Sequence, residues 1–73
     1  MENRLKVAVV GAGYWGKNLV RNFEALGVLD AICDSRKDTL DGISKQYPHR
    51  RMMDSFQAVL DDSSIEAVCI ASP

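Results

Sequence analysis

Four short apolar runs divide this chain, and between them apolar residues recur every three or four positions. The first run, residues 5–10, is almost continuously apolar, which predicts a strand covered on both faces. Across residues 14–26 the apolar side chains of Trp15, Leu19, Phe23 and Leu26 are spaced by four, four and three. That spacing draws one stripe along a helix. On this reading Trp15 anchors the helix in the core, while Lys17, Arg21 and Glu24 face water. Gly27 supplies the residue that ends it. Residues 28–33 form a second strand, closed by Asp34.

Ser35-Arg36-Lys37-Asp38 has the spacing of a capping box for a second helix, whose apolar face is Leu40, Ile43 and Tyr47 and which Pro48 stops. Gly42 inside this helix weakens it by up to about 1 kcal/mol relative to alanine. Residues 49–53 read as a brief edge strand, with Met52 and Met53 as edge packing. Asp54 or Ser55 then caps a short helix with apolar positions Phe56, Val59 and Leu60. A polar loop over residues 61–64 leads to a fourth buried strand, residues 65–71.

Strands separated by helices are joined by crossovers and therefore run parallel. The expected fold is α/β, a partial doubly wound sheet in the order 3-2-1-4 with crossover helices. The outer edge of the fourth strand, with Ala67, Val68, Cys69 and Ile70, is then unpaired, and such an apolar edge is a template for another chain. At 73 residues the chain is one domain or part of one, and a chain this short buries only about 60% of its unfolded surface.

Composition removes several classes of function. Nine Lys and Arg against ten Asp and Glu give a net charge of -1, with no basic run suited to nucleic acid. No apolar run approaches the roughly 20 residues of a membrane span, and Met1-Glu2-Asn3-Arg4 does not open a signal peptide. A cytoplasmic location is expected. Cys33 and Cys69 fit it, because their strands flank the first strand on opposite sides, roughly 9–10 Å apart, too far for a disulfide. Both are expected as buried free thiols.

The first strand runs into Gly11-x-Gly13-x-x-Gly16 and then into a helix, the context in which a glycine triplet signals dinucleotide binding. Gly11 allows the turn, Gly13 admits a pyrophosphate to the backbone, and Gly16 brings the helix onto the strand. The amides of Tyr14 and Trp15 are the expected phosphate donors, and the Tyr14 side chain leans toward the cofactor. Asp34 lies 18 residues after Gly16, placed to accept hydrogen bonds from the adenosine ribose and so to favour NAD. Ser35 and Arg36 belong to the same candidate site; Arg36 leaves NADP open, since its guanidinium suits a 2′-phosphate or an adenine face. Ala71, Ser72 and Pro73 end the fourth strand beside the crevice, where Ser72 is either a ligand to ribose or pyrophosphate or a plain loop serine. Lys17 is expected to be solvated. His49, the only histidine, has no carboxylate or cysteine near it in sequence, and Asp61 and Asp62 belong to a solvated loop. No catalytic acid, base or nucleophile is expected to face the crevice, and no metal site is expected.

Gly11-Ala12-Gly13-Tyr14-Trp15-Gly16-Lys17-Asn18, followed by Arg21-Asn22-Phe23, resembles the start of Gfo/Idh/MocA-type oxidoreductases. These include glucose–fructose oxidoreductase and inositol 2-dehydrogenase. The form Tyr14-Trp15-Gly16-Lys17-Asn18 is similar to members acting on nucleotide-linked sugars. Cys33-Asp34 resembles the family's second strand end. Residues 65–73 resemble its fourth strand, which usually ends Ala-Thr-Pro or Ala-Asn-Pro; Ser72 departs from this but keeps a small polar group. The resemblance implies hydride transfer from a sugar hydroxyl carbon to nicotinamide. It also implies that a lysine in a Glu-Lys-Pro motif and a later histidine or other acid-base residue handle the proton, all beyond the fourth strand. The expectation is that residues 1–73 are the N-terminal half of a dinucleotide-binding domain without its substrate domain, so that a sugar is bound only by the full-length parent. Two other readings stay open. One is an excised βα unit that self-associates through its open edge, and the other is a dinucleotide-sensing module without chemistry.

Overall fold

The apolar runs pair side by side as parallel strands. In a computed structural model describing residues 5–71, and every side chain among them except that of Tyr14, the elements are β1 (Val7–Val10), α1 (Tyr14–Leu26), β2 (Leu29–Cys33), α2 (Lys37–Gln46), β3 (Arg51–Met53), α3 (Phe56–Asp61) and β4 (Ala67–Ile70). The sheet order is β3-β2-β1-β4, all parallel, as the crossover argument requires. Strand ends are shorter than the apolar runs. Val28 lies outside β2 because its N–H donates to the Phe23 carbonyl as part of the α1 terminus.

Alternation along the strands divides the core. Val9 and Ile32 face α1 and α2, where they pack with Ala12, Val20, Leu40 and Ile43. Ala8, Ala31 and Cys33 face the other side, where Val59 of α3 covers them. Gly27 ends α1 with φ 77°, and its N–H donates to the Glu24 carbonyl.

The apolar stripe of α1 is rotated from its expected position. Trp15 is 70% and Leu26 69% exposed, while Val20 is fully buried. Trp15 is therefore not a core anchor. The cause is Gly16, which is buried against the end of β1; with that residue facing inward, Val20 and Phe23 follow it one turn and two turns on, and Trp15 is turned aside. The capping box of α2 does not form either. Arg36, not Ser35, is the N-cap and makes no side-chain cap bond, because a guanidinium has no acceptor to offer the first-turn amides; its own N–H is held by Asp34 Oδ1 at 2.8 Å.

In α3, Ser55 caps by accepting from the Ala58 N–H at 3.2 Å. Of its three expected apolar positions only Val59 is buried, while Phe56 and Leu60 are exposed. β4 is likewise not covered on both faces. Ala67 and Cys69 are half-buried, whereas Val68 and Ile70, in register with Ala8 and Val10 on the α3 side of the sheet, remain exposed at its edge. Cys69 is thus only partly shielded; Cys33 is buried, and both are free thiols.

Two surface networks join distant segments. Glu24 accepts from Arg50 Nε at 2.7 Å and meets His49 Nε2 at 3.1 Å, so His49 has a carboxylate partner after all and Glu24 is not simply solvated. The Arg50 bond, then the His49 bond, holds the Glu24 carboxyl below the usual range. Arg51 bridges Asp30, Asp62 and Ser64.

Gly42 lies on the exposed side of α2 with open space where a Cβ would stand. Gly42→Ala should therefore stabilise the chain by about 0.5–1 kcal/mol. A urea titration checks this through a raised midpoint at unchanged slope.

Candidate functional site

The turn out of β1 is made by Gly11, whose φ of 96° suits glycine. Its N–H donates to the Cys33 carbonyl at 2.7 Å, which ties the loop to the end of β2. Gly13 is the N-cap of α1 and carries no capping side chain. The helical ladder begins with Lys17 N–H to the Gly13 carbonyl at 2.9 Å, so the first-turn amides lie ahead of it. No acidic side chain occupies that first turn, leaving the positive end of the helix dipole uncompensated.

The three glycines do different things. A Cβ on Gly16 would stand 1.7 Å from the Gly11 carbonyl oxygen and 2.7 Å from its carbon. A side chain cannot fit there, so Gly16 is required by the fold. A Cβ on Gly13 would meet only the Arg36 guanidinium, at 3.5 Å. Nothing in the chain itself needs that space, which a phosphate approaching the loop would use.

Asp34 closes β2 and is 6% exposed. Its Oδ2 accepts from the Ala12 N–H at 2.9 Å and from Arg36 Nη2 at 3.2 Å. Its Oδ1 accepts from the Arg36 N–H at 2.8 Å and Nε at 3.2 Å. The Arg36 side-chain bonds, helped by the two amides, outweigh burial and bring the carboxyl to about 2. Asp34 is therefore an anion at neutral pH, and all four of its acceptor sites are engaged. The Arg36 side chain is 60% exposed, which makes it the donor a ligand hydroxyl can displace.

These parts surround a cleft of about 620 Å³ at the carboxyl ends of the strands. Of the residues singled out from sequence, Gly11, Gly13, Trp15, Asp34, Ser35 and Arg36 line it, joined by Ala71 at the end of β4. Gly16 lies behind the loop. The Tyr14 side chain, Ser72 and Pro73 lie outside the described residues. Lys17 is exposed.

Asp54 and Phe56 were expected as a helix cap and a core position, but both line the cleft, as do Val10 and Cys33. The signal that could have found them is their place just after a strand end, on the ligand side of a parallel sheet. Asp54 thus puts a carboxylate at the cleft where no acid or base was expected. Burial, then the charges of Asp34 and Asp54, pushes the Cys33 thiol up, which keeps it a protonated, poor nucleophile. Among the described residues no helix is long and apolar enough to cross a membrane.

Comparison with known proteins agrees with this geometry. No curated protein gives a match to the sequence. Among solved structures, GenD2 from gentamicin A biosynthesis, in complex with NAD, is 24% identical with a TM-score of 0.84 over 100% of this chain and 21% of its own. An oxidoreductase from Agrobacterium radiobacter, in complex with NAD+, L-tartaric acid and magnesium, is 25% identical with a TM-score of 0.84 over 97% of this chain and 21% of its own. The WlbA dehydrogenase from Bordetella pertussis, in complex with NADH and UDP-GlcNAcA, is 23% identical with a TM-score of 0.83 over 97% of this chain and 22% of its own. The chain spans about a fifth of the length of these structures. The profile of an oxidoreductase family with an NAD-binding Rossmann fold matches residues 5–73, and the chain belongs to that family, Gfo/Idh/MocA.

Proposed function

We propose that residues 1–73 are the N-terminal half of a dinucleotide-binding domain and hold the ADP-ribose part of NAD for a sugar dehydrogenase. The observation that carries this is the pairing of two sites in one cleft. The uncapped start of α1 offers amides to the pyrophosphate, and the ionised Asp34 offers a carboxylate to the ribose. The residues fit the group: Gly13 leaves room that the chain does not fill, and Gly16 is forced by the turn that creates it. A ribose hydroxyl displaces the exposed Arg36 guanidinium from Asp34, while the Ala12 and Arg36 amides keep the carboxylate in place. Asp34 favours NAD, and Arg36 leaves a 2′-phosphate some counter-charge.

When bound, the nicotinamide supplies hydride chemistry. The parent transfers hydride between it and the hydroxyl carbon of a sugar of the nucleotide-linked class, the class of the UDP-GlcNAcA bound by the WlbA dehydrogenase. The groups that move the proton and hold the sugar are supplied by the parent, and the cytosol is the compartment in which Cys33 and Cys69 stay reduced. Calorimetric titration of the chain with NAD, ADP-ribose and NADP tests the reading. NAD and ADP-ribose should bind saturably and with similar affinity, and absence of saturable binding of all three at millimolar ligand removes it.

The edge of β4 favours a second reading. Val68 is 38% and Ile70 58% exposed beside an edge that no described strand pairs, so the chain self-associates there. Sedimentation separates the two: a stable dimer indifferent to NAD favours the second, and a monomer that binds NAD favours the first.

A further inference from the structure

We propose that Arg36 selects ribosides that carry a pyrophosphate, an inference that rests on reading the cleft as an ADP-ribose site. When a ribose binds Asp34, the guanidinium leaves the carboxylate and takes a phosphate instead.

The four acceptor positions of Asp34 are of two kinds. Backbone amides take one on each oxygen, the Arg36 N–H on Oδ1 at 2.8 Å and the Ala12 N–H on Oδ2 at 2.9 Å. The Arg36 guanidinium takes the other two, Nε on Oδ1 and Nη2 on Oδ2, both at 3.2 Å. A ribose cis-diol also presents two donors side by side. Diol and guanidinium are therefore alternative occupants of the same two positions.

The guanidinium also reaches the glycine loop. Its Nη2 stands 3.5 Å from the point where a Cβ on Gly13 would lie, beside the backbone that the pyrophosphate approaches. One side chain thus spans both halves of the site. It is 60% exposed, so it can turn from one partner to the other without disturbing the core.

Charge decides where it turns. Two carboxylates, Asp34 and Asp54, line the cleft, and Arg36 is the one cationic side chain among the described residues that do so. A nucleoside takes Asp34 from the guanidinium and returns no charge to it. A pyrophosphate brings an anion beside Gly13, so the guanidinium exchanges one charged partner for another. Without Arg36 the phosphates would meet the two carboxylates with no cationic side chain in the lining, which repels them.

Titration of the intact chain with adenosine and with ADP-ribose tests this, with far-ultraviolet circular dichroism confirming that each variant is folded. Arg36→Gln should bind adenosine about threefold more tightly, because the competing occupant of Asp34 is gone. It should bind ADP-ribose about threefold more weakly, because the loss at the phosphate exceeds the gain at Asp34. Movement in opposite directions separates selection from a structural role, which would weaken both. Arg36→Lys, which keeps the charge, should bind ADP-ribose within about twofold of the unaltered chain. Three results each overturn the role of Arg36 while leaving the ADP-ribose reading intact: adenosine not tightened in Arg36→Gln, ADP-ribose not weakened in it, or Arg36→Lys as weak as Arg36→Gln. Failure of the unaltered chain to bind NAD or ADP-ribose overturns both.

Discussion

Gly16→Ala is expected to destabilise the chain by about 3 kcal/mol or more and to abolish NAD binding. The added Cβ would lie 1.7 Å from the carbonyl oxygen of Gly11. That neighbour is backbone, and it belongs to the turn that Gly11 makes at φ 96°. Relief requires α1 to lift off the end of β1, which uncovers Val20 and moves the first-turn amides away from the cleft. For a domain of this size the loss is a large share of a total stability of about 4–11 kcal/mol, and it lowers the melting temperature by on the order of 15 °C. Gly13→Ala is the contrasting case. Its Cβ meets only the Arg36 guanidinium at 3.5 Å, so melting should move little while NAD affinity falls. Thermal melts and calorimetry on the two variants separate the glycine that the fold needs from the one the ligand needs. Equal melting temperatures for them would contradict the assignment.

Asp34→Asn is expected to weaken the fold by on the order of 2 kcal/mol at neutral pH, through loss of a charge on which four donors converge. The folded carboxyl titrates at about 2, against about 3.9 for an unfolded aspartate. Because the folded value is depressed, the contribution is complete above about pH 4 and is lost as pH falls through about 2. Asp62, held at about 2 by Ser64 and then Arg51, and Glu24, held low by Arg50 and His49, titrate in the same acid limb. They are present in both proteins, so the difference curve isolates Asp34. Urea midpoints measured from pH 7 to pH 2 should converge as pH drops. Parallel curves would mean that Asp34 does not carry the stabilising charge.

The parts of the site that were legible in sequence are those set by local chemistry. A glycine triplet between an apolar run and a helical stripe, with an aspartate at the next strand end, needs no distant information to interpret. Alternation of strand and helix likewise led to the sheet order. What was not legible depends on contacts between segments. Trp15 fits the apolar spacing of α1 as well as any core residue does, and only the approach of Gly16 to Gly11 decides that Val20 takes the core and Trp15 the cleft. Ser35 fits a capping box, but the helix begins one residue later, with Arg36 at its N-cap. His49 and Glu24 are 25 residues apart, so no local pattern announces their pairing. Asp54 and Phe56 looked like a cap and a core position because a strand as short as β3 gives little sign of where its ligand-facing end falls.

The family match spans residues 5–73; the placement of Asp54, Phe56 and the Arg36 bridge at the cleft comes from this chain's own geometry. The bridge also explains why a buried, fully engaged carboxylate remains usable: its outer donor is a side chain that is 60% exposed, whereas its inner donors are backbone amides.

The central claim is that the cleft at the glycine loop receives ADP-ribose. Amide resonances of the isotopically labelled chain, followed through a titration with ADP-ribose, test it residue by residue. Saturable shifts are predicted at residues 11–16, Asp34 and Arg36, with the second half of α2 and the β4 edge unmoved. Shifts confined to β4, or none at millimolar ligand, would contradict it.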